Sequence, residues 1–173
     1  MKKNKYATAL IALLFFTGIY AQEQKSLSEK EYSISYDDTW SLTQNGELGL
    51  SFVLKAPLED EQDRFQENIN LMVQDISNHD LDLAAYTEIS LDQIKNMISG
   101  SELLSSSVKS NGEVTYQEVI FIAPNGSYRL KFMQHYFLTD KKAYILTYTA
   151  EVKNYERYVK SAKEIMKSFR TKS

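Results

Sequence analysis

The 173-residue chain has no cysteine, and that absence removes several chemistries at once. It leaves no thiol nucleophile and no disulfide to staple the fold, so stability has to come from a hydrophobic core. Histidine occurs only twice, at His79 and His135, and the two lack the paired spacing of a zinc enzyme. Acid–base chemistry would have to rest on one of them or on scattered carboxylates. The six glycines form neither a phosphate-cradling loop nor a Gly-x-Ser-x-Gly elbow. The serines of "SGSELLSSS" have no neighbouring base to activate them. Two prolines and no low-complexity run leave no sign of a linker between domains. Excess positive charge is missing too: the net charge is −3, which disfavours nucleic acid and anionic membrane as partners.

What is present begins with a delivery signal. Lys2, Lys3 and Lys5 precede an apolar run, "ALIALLFFTGI" (residues 9–19), and "IYA" ends on the small residue Ala21. This order of basic, apolar and small residues predicts a secretory signal peptide over residues 1–21, cut between Ala21 and Gln22. The run falls short of the roughly 20 apolar residues needed to span a bilayer, and a lipoprotein anchor would need a cysteine at the cut. Removing residues 1–21 takes three lysines away and leaves a more acidic, soluble product, periplasmic or secreted. Residues 22–31, "QEQKSLSEKE", are polar and charged and predict a flexible leader. Residues 32–173 then form a single domain, long enough to bury a core without staples.

Within that domain, Tyr32, Ile34 and Tyr36 alternate with serines at strand spacing, and Asp37-Asp38-Thr39 has turn chemistry before Trp40 and Leu42 resume the alternation. This reads as a hairpin, with the aromatic face packing on a central helix and Trp40 anchoring it. Strands are predicted at residues 47–56 and 68–76, separated by a solvated loop at residues 58–67. Leu83, Tyr86, Leu91, Ile94, Met97 and Ile98 share one helical face, with carboxylates at the helix start and Gly100 as its stop. Extended segments follow, with turns at Asn125-Gly126 and Asp140-Lys141-Lys142. Tyr155, Tyr158, Val159, Ala162, Ile165, Met166 and Phe169 make a terminal helical stripe, with Asn154 as its N-cap. Strands, helix, strands, helix, joined by short turns, predict an α+β domain: a largely antiparallel sheet packed by helices.

Four of these stretches carry a resemblance. "YSISYDDTWSL", "YTEISLDQIKNMI", "KAYILTYTA" and "YERYVKSAKEIMKSFR" resemble, in that order, the opening strand-turn-strand, central helix, last strand and closing helix of PsbP-like proteins. The likeness runs over nearly all of residues 32–170. It implies an α/β/α sandwich. That fold serves photosystem II subunits, DcrB-like bacterial envelope proteins and a nuclear Ran-binding protein without a shared active site, so it implies no site residues here.

The remaining constellations each have a structural explanation. Asp37 and Asp38 are adjacent turn residues, a poor match to two carboxylates facing across a cleft. "DISNHDLD" (residues 75–82) gathers His79 with Asp75, Asp80 and Asp82, yet lacks the ligand spacing and central glycine of a calcium loop. His135 lies in an apolar strand as a packing residue. Lys153, Arg157, Lys160, Lys163, Lys167 and Arg170 line the polar side of the terminal helix, where Glu156 and Lys160 are spaced to pair. No residue is therefore assigned a catalytic, cofactor-binding or metal role, and no cofactor is expected. The sequence favours an exported, non-enzymatic binding or accessory domain whose partner is another envelope or secreted protein. The alternative is a carrier of a small molecule, lipid or metal with a pocket between sheet and helix.

Overall fold

The computed structural model describes residues 23–61, 63–112 and 114–172. The signal peptide predicted over residues 1–21 lies outside the described residues. The described chain forms ten strands and two helices in the α+β arrangement that the hydrophobic periodicity predicts. A seven-stranded antiparallel sheet has the order β3 (Ser41–Thr43), β4 (Leu50–Lys55), β5 (Asn68–Asp75), β9 (Lys142–Glu151), β8 (Tyr128–Thr139), β7 (Thr115–Asn125), β6 (Glu102–Ser110). A smaller sheet of three strands has the order β1 (Gln24–Ser28), β2 (Tyr32–Asp37), β10 (Arg170–Thr171). Helix α1 spans Leu83–Met97 and helix α2 spans Tyr155–Lys167.

Strand β9 organises the large sheet, since every residue from Ala143 to Ala150 is buried. Side chains alternate across a strand, so Tyr144, Leu146 and Tyr148 face one core, and Ala143, Ile145, Thr147 and Thr149 face the other. The first core joins Leu146 and Tyr148 to Phe52, Leu54, Ile69 and the α2 residues Ala162, Ile165 and Met166. The second gathers Ile145, Val119, Phe121 and Tyr136 beneath Tyr86 and Ile94 of α1. The β8–β9 turn is tight: Asp140 and Lys141 both adopt positive φ, at 51° and 58°. That geometry suits the right-handed twist of a two-residue hairpin.

The structure corrects several expectations. Residues 24–28 are not a flexible leader but a strand, paired along its length with β2. "YSISYDDTWSL" is not a hairpin either. Strand β2 belongs to the small sheet and β3 to the large one, so Asp37–Trp40 is the corner where the chain changes sheets. The face formed by Tyr32, Ile34 and Tyr36 packs in the α2 core, with Tyr32 against Phe52 and Phe169, rather than on α1. The predicted strand at 47–56 opens with a 3-10 turn, Glu47–Gly49, because Gly46, Leu48 and Gly49 all take positive φ. Helix α1 ends at Met97, and Gly100, at φ +76°, lies in the turn beyond it.

The loop before β5 carries a buried charge-bearing group, because Glu67 is fully inaccessible. Asn154 precedes α2 without capping it by its side chain, which interacts instead with the Glu67 carboxyl. Glu156 pairs across to Lys131 at 3.7 Å rather than with Lys160.

Candidate functional site

The two faces of the large sheet are covered unequally. One carries α2 and the small sheet; the other carries α1 alone, set over β7 and β8. The helix starts firmly: the Asp82 carboxylate accepts the Ala85 amide at 2.8 Å as a helix cap. Its tyrosine then pins it to the sheet, with the Tyr86 ring edge-on to Tyr136 at 5.6 Å and its hydroxyl donating to Gln74 at 2.7 Å. Because α1 lies to one side, β5 and β9 are left open alongside it. A cleft of about 510 Å³ results, within the roughly 300–1,000 Å³ typical of small-molecule sites.

Strand register explains the floor of the cleft. Asn70 lies opposite Thr147, and Thr147 opposite Gln134, so three polar side chains run side by side across β5, β9 and β8. One step toward the α1 C-terminus, Thr149 lies opposite Phe132, and Phe132 opposite Phe121. One step the other way, Ile145 is flanked by Met72 and Tyr136. Ile94, Met97 and Ile98 of α1 make the apolar wall. The sequence places Met97 with the core stripe, yet it is 78% exposed, an apolar side chain left at the cleft rim.

Hydrogen bonding fixes part of the floor and leaves part free. Gln134 is oriented at both ends: its Oε1 accepts from the Tyr136 hydroxyl at 2.6 Å, and its Nε2 donates to Thr147 Oγ1 at 3.3 Å. Asn70 donates one amide hydrogen through Nδ2 to Asn68 at 3.2 Å, which leaves its carbonyl oxygen and its second amide hydrogen available. Burial pushes the hydroxyls of Tyr86 and Tyr136 up from the ordinary tyrosine value, so both stay neutral donors. A quarter of the chain is charged, but among the described residues no charged side chain lines the cleft.

The constellations singled out in the sequence lie elsewhere. Asp37 is a structural anchor: its carboxylate accepts from the Thr39 amide at 3.0 Å and from the Ser161 hydroxyl at 3.0 Å. In "DISNHDLD", Asp75 accepts from the Ser77 amide at 2.8 Å and Asp82 caps α1. His79 and Asp80 border a hollow of about 800 Å³ outside the cleft. Among the described residues, no three His, Asp or Glu side chains are grouped to hold a metal ion.

His135 is buried against the α2 side, its Nε2 3.1 Å from Glu118 and its ring 4.5 Å from that of Tyr116. That hydrogen bond holds the Glu118 carboxyl below its ordinary value. Along the basic face of α2, Lys153 pairs with Glu151 and Arg157 with Glu59. Asn70, Gln134, Thr147 and Thr149 were missed by motif reasoning. Their signal is a polar residue at the inward position of a strand whose neighbours at that position are apolar, as in "AYILTYTA".

No protein-family model matches the chain, and no curated protein matches it in sequence. Solved structures do resemble it. Cyanobacterial PsbP (CyanoP) from Synechocystis sp. PCC 6803 superposes with a TM-score of 0.66 at 13% identity, over 90% of this chain and 96% of that one. LpqN of Mycobacterium tuberculosis, a protein involved in cell envelope biogenesis, gives 0.67 at 11% identity, over 88% and 92%. PA94 of Pseudomonas aeruginosa, a protein of unknown function and putative regulator, gives 0.63 at 14% identity, over 87% and 98%. Superposition on these proteins over most of the chain identifies its arrangement of two sheets and two helices as the PsbP-like fold.

Proposed function

We propose that this chain is an exported, non-catalytic accessory protein that works by binding a small ligand in the cleft beside α1. The cleft itself carries the reading: a preformed concavity with an apolar wall and a few convergent polar groups is the usual form of a binding site. Among the described residues its lining holds no carboxylate, imidazole, amine or activated hydroxyl to perform acid–base or nucleophilic chemistry, which supports binding over catalysis. Export rests on the basic, apolar and small-residue order of residues 2–21. The similar fold of LpqN, described as involved in cell envelope biogenesis, is compatible with an envelope setting.

A protein partner, the reading the sequence favours, retains one specific support. Lys160, Lys163 and Lys167 are exposed or nearly so on α2, outside the ion pairs formed among the described residues. A partner with an acidic face would fit them.

Native mass spectrometry of protein freshly purified from the envelope or secreted fraction tests the ligand reading. A bound small molecule is expected in the unaltered protein. It should be lost when Gln93→Trp fills the cleft from the exposed side of α1. A ligand retained by that variant would move the site elsewhere.

A further inference from the structure

Resting on the reading of the cleft as a ligand site, we propose that its ligand is an uncharged amphiphile, with an apolar chain and a hydrogen-bonding, non-ionic end group. The polar row of Asn70, Thr147 and Thr149 would read the end group, and Met72, Ile145 and the apolar side of α1 would cover the chain.

Two physical constraints converge on this class. The first is charge. A carboxylate, phosphate or ammonium taken from water into the cleft would find no counter-charge in the lining, and an unpaired buried ion is far costlier than a hydrogen-bonded neutral group. The second is the mixture of polar and apolar groups that line the cleft. Thr147 and Thr149 project on the same side of β9 as Ile145, and Asn70 lies beside Met72 on β5. A wholly apolar ligand would leave these groups facing hydrocarbon, and unmet hydrogen bonds disfavour it. A wholly polar ligand would leave Met72, Ile145 and Phe132 wet. Only a molecule with both parts satisfies both kinds of group.

The available groups also specify the end group. The Asn70 carbonyl can accept, and one of its two amide hydrogens is committed to Asn68 while the other can donate. The Thr147 oxygen already accepts from Gln134, which leaves its hydroxyl hydrogen to donate. The Thr149 hydroxyl has no partner among the described residues and can do either. A cluster of hydroxyls, as on a glycerol or a sugar, matches this mixture of donors and acceptors.

The test compares three probes of equal chain length, below their micellar concentrations, by isothermal titration calorimetry: monolaurin, laurate and dodecyltrimethylammonium. Monolaurin should bind, and both ions should bind at least about tenfold more weakly, the factor equivalent to about 1.4 kcal/mol. Asn70→Lys, at a partly exposed strand position, should weaken monolaurin and strengthen laurate, reversing their order. Laurate binding as tightly as monolaurin to the unaltered protein would overturn the ligand class while leaving the cleft a binding site. Failure of all three probes to bind would overturn the cleft reading and this proposal with it. The comparison on the unaltered protein decides even if Asn70→Lys does not fold.

Discussion

Trp40 and Ser161, 121 residues apart in sequence, are joined by a hydrogen bond of 3.0 Å from the indole Nε1 to the serine hydroxyl. The same hydroxyl donates to Asp37 at 3.0 Å, so one α2 serine holds both ends of the corner where the chain changes sheets. The indole is 2% exposed and lies edge-on to Tyr158. Trp40→Ala should therefore cost about 3–5 kcal/mol, the scale for removing a buried aromatic. Ser161→Ala should cost less, about 1 kcal/mol, by removing hydrogen bonds without opening a cavity. Denaturant midpoints measure both; an unchanged midpoint for Trp40→Ala would contradict the packing described.

Glu67 titrates against the fold. Burial, the largest influence, raises its carboxyl above the ordinary value despite hydrogen bonds that favour the charged form. The native state thus binds this proton more tightly than the unfolded chain. Its contribution to stability is full below the unfolded pKa and is lost as pH rises through the folded one. Glu67→Gln, which mimics the protonated group, should raise the denaturant midpoint at about pH 8 and leave little difference at about pH 3.

Glu118 should behave in the opposite sense. The His135 hydrogen bond is the main cause of its lowered pKa, with the charges of His135, Lys109 and Lys163 assisting. Its contribution is present above the unfolded pKa and disappears as pH falls through the depressed folded value. Glu118→Gln should cost about 1.5–3 kcal/mol at neutral pH, the range for a charge-assisted hydrogen bond, with the cost shrinking in acid. Urea titrations of both proteins from neutral to acid pH give the comparison. A cost that does not change with pH would assign the loss to packing.

The proposed export makes a covalent prediction. Protein recovered outside the cytoplasm should begin at Gln22, as read by intact-mass analysis. A soluble exported pool that retains Met1 would contradict cleavage after Ala21.

The secondary structure was largely legible because each element carries its own period. The stripe from Tyr155 to Met166 recurs at helical spacing, and Asn68–Asp75 alternates at strand spacing, whereas Phe169, placed with the stripe, lies beyond the helix end at Lys167. Partnership was not legible, because the residue pattern of a strand does not name its neighbour. "SISYD" reads identically whether its continuation pairs with it or crosses to another sheet. Residues 24–28 have almost no buried side chains, so nothing in their composition announces a strand held chiefly by backbone pairing to β2. The cleft was hidden for a related reason. Thr147 and Thr149 look like ordinary strand residues until β5 and β8 bring Asn70 and Gln134 beside them.

The closing of the small sheet by Arg170 and Thr171 makes its completion wait for a segment more than 130 residues after β2. Strand β2 is made early in synthesis, but its partner β10 and the Ser168 hydroxyl that bonds to Ser35, 133 residues away, arrive last. Phe169, which fills the core against Tyr32 and Phe137, arrives with them. Pairings between distant segments form slowly, because the entropy of closing a long loop is lost before the contacts that offset it are made. A growing chain thus holds most of its strands before it can complete either the corner or the core beneath it.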